Sequence, residues 1–108
     1  MSQPRITEKL LNRIETHLDD ILELQDLPPM LQSGERAMLN RLRSGYTTEQ
    51  DIEFYLHELI ESAIFRRTGD LKQAHQNAIR LRRVTERQLF HPNVIFQYPE
   101  LFPYNWRN

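Results

Sequence analysis

The sequence predicts a small all-α domain with an antiparallel helical hairpin at its centre and an irregular aromatic C-terminal tail packed on it. Three observations predict this. Apolar residues recur at helical spacing through three-quarters of the chain. Gly69 separates two of those stretches and is followed at once by a capping residue, Asp70. Pro92, Pro99 and Pro103 then forbid a further long helix. The length, 108 residues, fits one domain spanning 1–108. Within it, residues 1–45 read as N-terminal helices, 46–90 as the hairpin and 91–108 as the tail.

The first helix is expected from about Thr7 to about Gln25. Thr7 is an N-cap, and Leu10, Leu11, Ile14, Leu18, Ile21 and Leu22 recur on one face. Leu27-Pro28-Pro29 ends it, since neither proline donates a backbone hydrogen bond. A short second helix follows, with Ser33 as N-cap, Gly45 as stop and Ala37, Met38 and Leu42 inward. The third begins at Thr47 or Thr48: Thr47 with Gln50 has capping-box spacing, and Thr48 can cap instead. Ile52, Tyr55, Leu56, Leu59, Ile60 and Ala63 form its broad apolar face, and Gly69 stops it. Helix four starts at Asp70, with Gln73 at capping-box distance, and shows Leu71, Ala74, Ala78 and Leu81 on one face. The tail carries Val94, Ile95, Phe96, Tyr98, Leu101, Phe102, Tyr104 and Trp106. A disordered tail is poor in such residues, so this one is expected to wrap over the helices.

Cysteine is absent, which excludes disulfides and thiolate metal sites. No apolar run approaches the roughly 18 residues of a membrane span, and Met1-Ser2-Gln3-Pro4-Arg5 does not open a signal peptide. The expected location is therefore cytoplasmic, with secretion as part of a larger protein left open. The formal net charge is −1, but residues 1–65 carry −6 and residues 66–108 carry +5. The basic half includes Arg80, Arg82, Arg83 and Arg87. Such asymmetry suits an anionic partner such as RNA or DNA. It equally suits two halves that fold together and neutralise one another, or solvated helix faces.

The chemistry-bearing residues concentrate in Asp51-Ile52-Glu53-Phe54-Tyr55-Leu56-His57-Glu58-Leu59-Ile60-Glu61. His57 and Glu61 are neighbours at i,i+4. On a helical wheel the main apolar stripe centres near Leu59 and Ala63, and Phe54, His57, Glu58, Glu61 and Phe65 lie on the other side. Two aromatics among those five imply that another element packs there, which would bury His57 and Glu61 and oblige them to find partners. Glu61 precedes Gly69 by eight residues and His75 follows it by six. Their heights in an antiparallel hairpin therefore differ by about 3 Å, so a Glu61–His75 contact is expected. Three readings stay open. A His–Glu pair can satisfy two polar groups in a helix seam. It can perform general acid–base chemistry. Or His57, Glu61, His75 or His91 can ligate a metal. His57-Glu58-Leu59-Ile60-Glu61 is superficially like a zinc-protease helix, but Glu61 stands where the second His belongs, so no metal ligand and no cofactor is assigned. His17, on the acidic first helix, reads as exposed. His91-Pro92 reads as a turn, Tyr55 as core and Trp106 as a tail anchor. No P-loop, dinucleotide fingerprint, Gly-x-Ser-x-Gly elbow or EF-hand is present.

The second half, roughly residues 45–106, resembles C-terminal domains of bacterial polymorphic toxins of the Rhs and filamentous-haemagglutinin type. The pieces that carry the resemblance are Asp51 to Leu59 with Glu61, then Gly69, then Ala74-His75. They continue with Leu89-Phe90-His91-Pro92-Asn93-Val94-Ile95 and Pro99-Glu100-Leu101-Phe102. The resemblance implies that His57, Glu58, Glu61, His75 and His91 form a family-level cluster. It implies no particular reaction.

The lead functional expectation is a toxin-like effector domain, a metal-independent nuclease using His57 and His75 as acid and base. Glu61 would orient or charge-tune a histidine, Glu58 and His91 would be secondary, and Arg80, Arg82, Arg83 and Arg87 would hold phosphates. RNA or DNA would be the substrate and an immunity protein a partner. The alternative is a non-enzymatic helical protein-interaction module whose His/Glu cluster is structural. Whether the protein is an enzyme, and its oligomeric state, are left open.

Overall fold

The computed structural model describes residues 3–107 and is helical throughout. Helix α1 (Glu8–Gln25) is capped as expected: the Thr7 hydroxyl accepts from the Leu10 N–H at 3.2 Å. It ends at Asp26, in the left-handed region at φ 51°, just before Leu27-Pro28-Pro29. A 3-10 turn, Pro29–Gln32, leads directly into α2 (Ser33–Arg43). Ser33 is thus the first residue of α2 and not its N-cap, and its hydroxyl donates back to the Met30 carbonyl at 2.8 Å. The preceding Gln32 is buried and donates to the Leu18 carbonyl at 2.8 Å, tying α2 to α1.

Helix α3 (Glu49–Thr68) is capped by Thr48, not Thr47, in a reciprocal pair with Asp51. Gly69 terminates it at φ 72°, the left-handed conformation that a glycine adopts without strain. Helix α4 (Leu71–Arg82) starts on Asp70, whose carboxylate accepts from the Gln73 N–H at 3.0 Å. The two form the expected hairpin. Ala74 and Ala78 are wholly buried at its seam, where their small size lets the backbones approach. Leu81, expected on the same face, is 65% exposed, because α4 ends one residue later at the left-handed Arg83.

The inward side of α3 differs from the sequence expectation. Its buried residues are Asp51, Phe54, Tyr55, His57, Glu58, Glu61, Ser62 and Ile64, while Leu59 is half-buried and Ala63 exposed. Helix α3 packs against α1, α2 and α4 and against the 3-10 turn Glu86–Leu89. A helix covered nearly all round shows no single apolar stripe. The core joins Leu11, Ile14 and Leu18 of α1, Met38, Leu39 and Leu42 of α2, Phe54 and Tyr55 of α3, and Val94 of the tail.

The tail is more regular than expected. A 3-10 turn, Glu86–Leu89, precedes it, and it comprises a short helix, α5 (Pro92–Gln97), in which Val94 and Ile95 are buried, followed by 3-10 turns Pro99–Leu101 and Tyr104–Arg107. An aromatic chain holds it down: Phe90 meets Phe54 at 6.3 Å and Phe102 at 4.8 Å between ring centroids, and Phe102 stacks on Trp106 at 5.7 Å. Gly34 is needed beneath it, since a Cβ there would lie 2.7 Å from the Phe102 ring. Among the described residues no helix is long and apolar enough to cross a membrane.

Candidate functional site

Three helices converge on one carboxylate. Helix α3 presents Glu61 beside both His57 and Glu58, its neighbours at i−4 and i−3 on the helix surface. Helix α1 brings His17, and α4, folded back at Gly69, brings His75. Glu61 is buried and its two oxygens are divided among the three histidines. Nε2 of His17 donates to Oε1 at 2.9 Å, while Nε2 of His57 and Nδ1 of His75 meet Oε2 at 2.9 and 2.8 Å. The last two nitrogens are 3.2 Å apart. The far nitrogen of His75 donates to Glu86 at 3.0 Å.

Charge follows from this geometry. Burial works against ionisation of Glu61, but three imidazole hydrogen bonds outweigh it and hold the carboxyl well below the usual range. His75 is pushed up to about 9, first by its bond to Glu61 and further by Glu86, against the effect of burial. Glu58 is pushed well above the usual range by burial, then by the charges of Glu61 and Glu35. Glu35, on α2, is raised to about 7, mainly by burial and also by the charge of Glu61.

The cluster is not fully satisfied. Nδ1 of His57 and Oε2 of Glu58 are buried without a hydrogen-bond partner. Nε2 of His17 lies 3.8 Å from that Glu58 oxygen. Nor is the cluster sealed. Glu35, His57, Glu58, Glu61 and His75 all line a cleft of about 360 Å³, whose apolar wall includes Leu18, Phe102 and Trp106. The aromatic tail therefore walls the cleft without closing it. The His75 side chain is 38% exposed, whereas that of Glu61 is 5% exposed.

Two sets of ligand-type atoms lie within 4.8 Å of one another: His57, Glu61 and His75, and His17, Glu58 and Glu61. The structure thus brings His57, Glu58, Glu61 and His75 together. His91 lies elsewhere, capping α5 with its Nδ1 accepting from the Asn93 N–H at 3.1 Å. The four arginines do not line the cleft. Arg82 pairs in a two-pronged contact with Glu53 at 2.9 and 3.1 Å, Arg83 ends α4, Arg80 is exposed, and Arg87 borders a separate groove shared with Arg107.

Sequence reasoning missed two members. His17, expected at the surface, is 3% exposed, because it lies on the apolar stripe of α1, three residues after Ile14 and four before Ile21. Glu35 likewise precedes the buried Met38, Leu39 and Leu42 by three, four and seven residues. A polar residue at stripe spacing was the available signal in both cases. No protein-family model, no curated protein and no solved structure matches the chain.

Proposed function

We propose that this protein is a toxin-like effector enzyme that hydrolyses phosphodiester bonds of RNA or DNA in the cleft above the His/Glu cluster. The observation that carries the reading is the pair of unpartnered buried atoms, His57 Nδ1 and Glu58 Oε2, in a cluster that opens to a cleft. A purely structural cluster pairs its buried polar atoms, and unpaired ones collect at working sites. The cleft volume lies within the range of small-ligand sites, enough for one nucleotide-sized group.

The groups at the cleft suit hydrolysis. Glu35, raised to about 7, is poised to accept a proton near neutral pH, and Glu58 is held protonated, able to give one. The water oxygen would bond to phosphorus while its proton passes to Glu35. The phosphorus–oxygen bond then breaks, its electron pair stays on the ester oxygen, and that oxygen takes the Glu58 proton. His75, the exposed edge of the cluster, supplies the positive charge that meets the phosphate. The arginines stand outside the cleft, where they would hold flanking nucleic acid.

The test is degradation of RNA and of DNA by purified protein beside the Glu58→Gln and Glu35→Gln variants. Cleavage abolished by both substitutions supports the reading. Absence of cleavage by the folded wild-type chain, across metal conditions, overturns it. The second reading, a protein-interaction module, draws on Leu27 and Leu31, which are exposed at 41% and 46% and border the same cleft. Light scattering and pull-down would then show a self-partner or a cellular one.

A further inference from the structure

The geometry points to a divalent transition-metal site formed by Nε2 of His57, Nδ1 of His75 and Oε2 of Glu61, zinc being its best-matched ion. This inference rests on the reading of the cluster as a catalytic centre and names what that centre holds. Three donor atoms from two helices form a triangle with edges of 2.9, 2.8 and 3.2 Å. A tetrahedral zinc ion bound at ~2.0–2.1 Å needs donor atoms roughly 3.3 Å apart. The triangle is therefore one small outward step from a coordination face.

Two imidazole nitrogens turned on one oxygen, only 3.2 Å from each other, make a poor hydrogen-bonding arrangement for protons alone. Both must carry N–H groups aimed at the same acceptor, and the two N–H dipoles oppose each other. A cation between them reverses that sign, because each nitrogen then offers a lone pair. Two neutral imidazoles and one carboxylate form a ligand set that leaves a fourth position open, as catalytic zinc sites do. That position has access to solvent along His75, the one partly exposed member, in a cleft that also holds Glu35 and Glu58.

The surroundings support ligation. The remaining oxygen of Glu61 accepts from His17, and the remaining nitrogen of His75 donates to Glu86, so two of the three ligands are oriented from behind. His57 lacks such support, since its Nδ1 has no partner. The helix spacing explains why the zinc-protease pattern fails here while a site still forms. Glu61 takes the i+4 position of the second histidine, and the missing imidazole arrives from α4 as His75. An ion in this place would take over from His75 the positive charge that meets the phosphate and would polarise a phosphoryl oxygen.

The experiment uses the full chain, stripped with chelator and dialysed, then titrated with zinc chloride by calorimetry, with bound zinc counted by elemental analysis. The expected result is one equivalent of zinc, bound at least ~100-fold more weakly by His75→Ala and about 10-fold more weakly by Glu86→Gln. His75→Ala is the safe variant because the residue is partly exposed. Cobalt(II) substitution should add the visible absorption of a tetrahedral site to wild type and not to His75→Ala. No zinc bound, or the same affinity in wild type and His75→Ala, overturns the site. Zinc bound without nucleic-acid cleavage leaves the site standing and removes the substrate reading. Cleavage that persists in chelator with no zinc bound removes the site and keeps the substrate reading.

Discussion

Two of the buried carboxylates of helix α3, Asp51 and Glu61, stand ten residues apart, and their surroundings differ in one respect. Around Asp51 every interaction closes. Arg41 donates to both of its oxygens at 2.8 and 2.9 Å, and the Thr48 N–H and hydroxyl add two more bonds. The pair caps α3 and ties it to α2, and nothing is left over. Around Glu61 three histidines converge, yet His57 Nδ1 and Glu58 Oε2 stay unpaired and a second carboxyl is packed beside the first. Burial alone thus does not distinguish the two carboxylates; completeness of pairing does, together with access to a cleft.

The comparison can be broken most forcefully at Glu61. Glu61→Ala leaves three histidines without their shared acceptor, two of them buried. The expected loss is about 3–5 kcal/mol in urea denaturation. Asp51→Ala should cost slightly less, about 2–4 kcal/mol, because Arg41 reaches solvent when released. Equal, small losses at both sites would mean that neither cluster supports the fold.

The two regions should also separate by pH, measured as urea midpoints in chelator. Hydrogen bonds hold the Asp51 carboxyl below its ordinary value despite burial. Its contribution is therefore present above ~3.9, the unfolded pKa, and is lost as pH falls through the lower folded value. His75 is raised to about 9, so its contribution is present below ~6.5 and is lost as pH rises toward 9. Asp51→Asn should flatten the acid limb and leave the alkaline limb unchanged, and His75→Ala should flatten the alkaline limb. An Asp51→Asn variant that flattens the alkaline limb, or a His75→Ala variant that keeps it, would contradict the assignment.

The smallest effects sharpen the contrast. Gly34→Ala pushes on the Phe102 ring, and a loss of about 1 kcal/mol with a displaced tail is expected. Glu58→Gln should leave stability unchanged or raise it by ~1 kcal/mol, since it removes an unpaired carboxyl beside two others.

The fold was legible because its signals are local. Thr7, Gly69, Asp70 and the three tail prolines act within a turn of chain, and each marks a boundary that the structure keeps. The Glu61–His75 contact was legible for a related reason, because a tight turn at Gly69 fixes the register of α4 on α3. His17 and Glu35 come from helices joined to the site through longer connections, so only their stripe spacing hinted at burial. The inward side of α3 was not legible at all. A helix packed against three others buries polar and apolar faces alike, and the wheel cannot rank them. Arg82 shows the same limit: its Glu53 partner lies across the hairpin, which the local charge run does not reveal.

The most direct measurement is cleavage of RNA and DNA by wild type and Glu58→Gln, with folding of both checked by urea midpoint. The expected result is cleavage by wild type, reduced ~100-fold or more in a variant of equal or greater stability. Equal cleavage by the two proteins, or none by folded wild type, would contradict the assignment of the incompletely paired cluster as the working site.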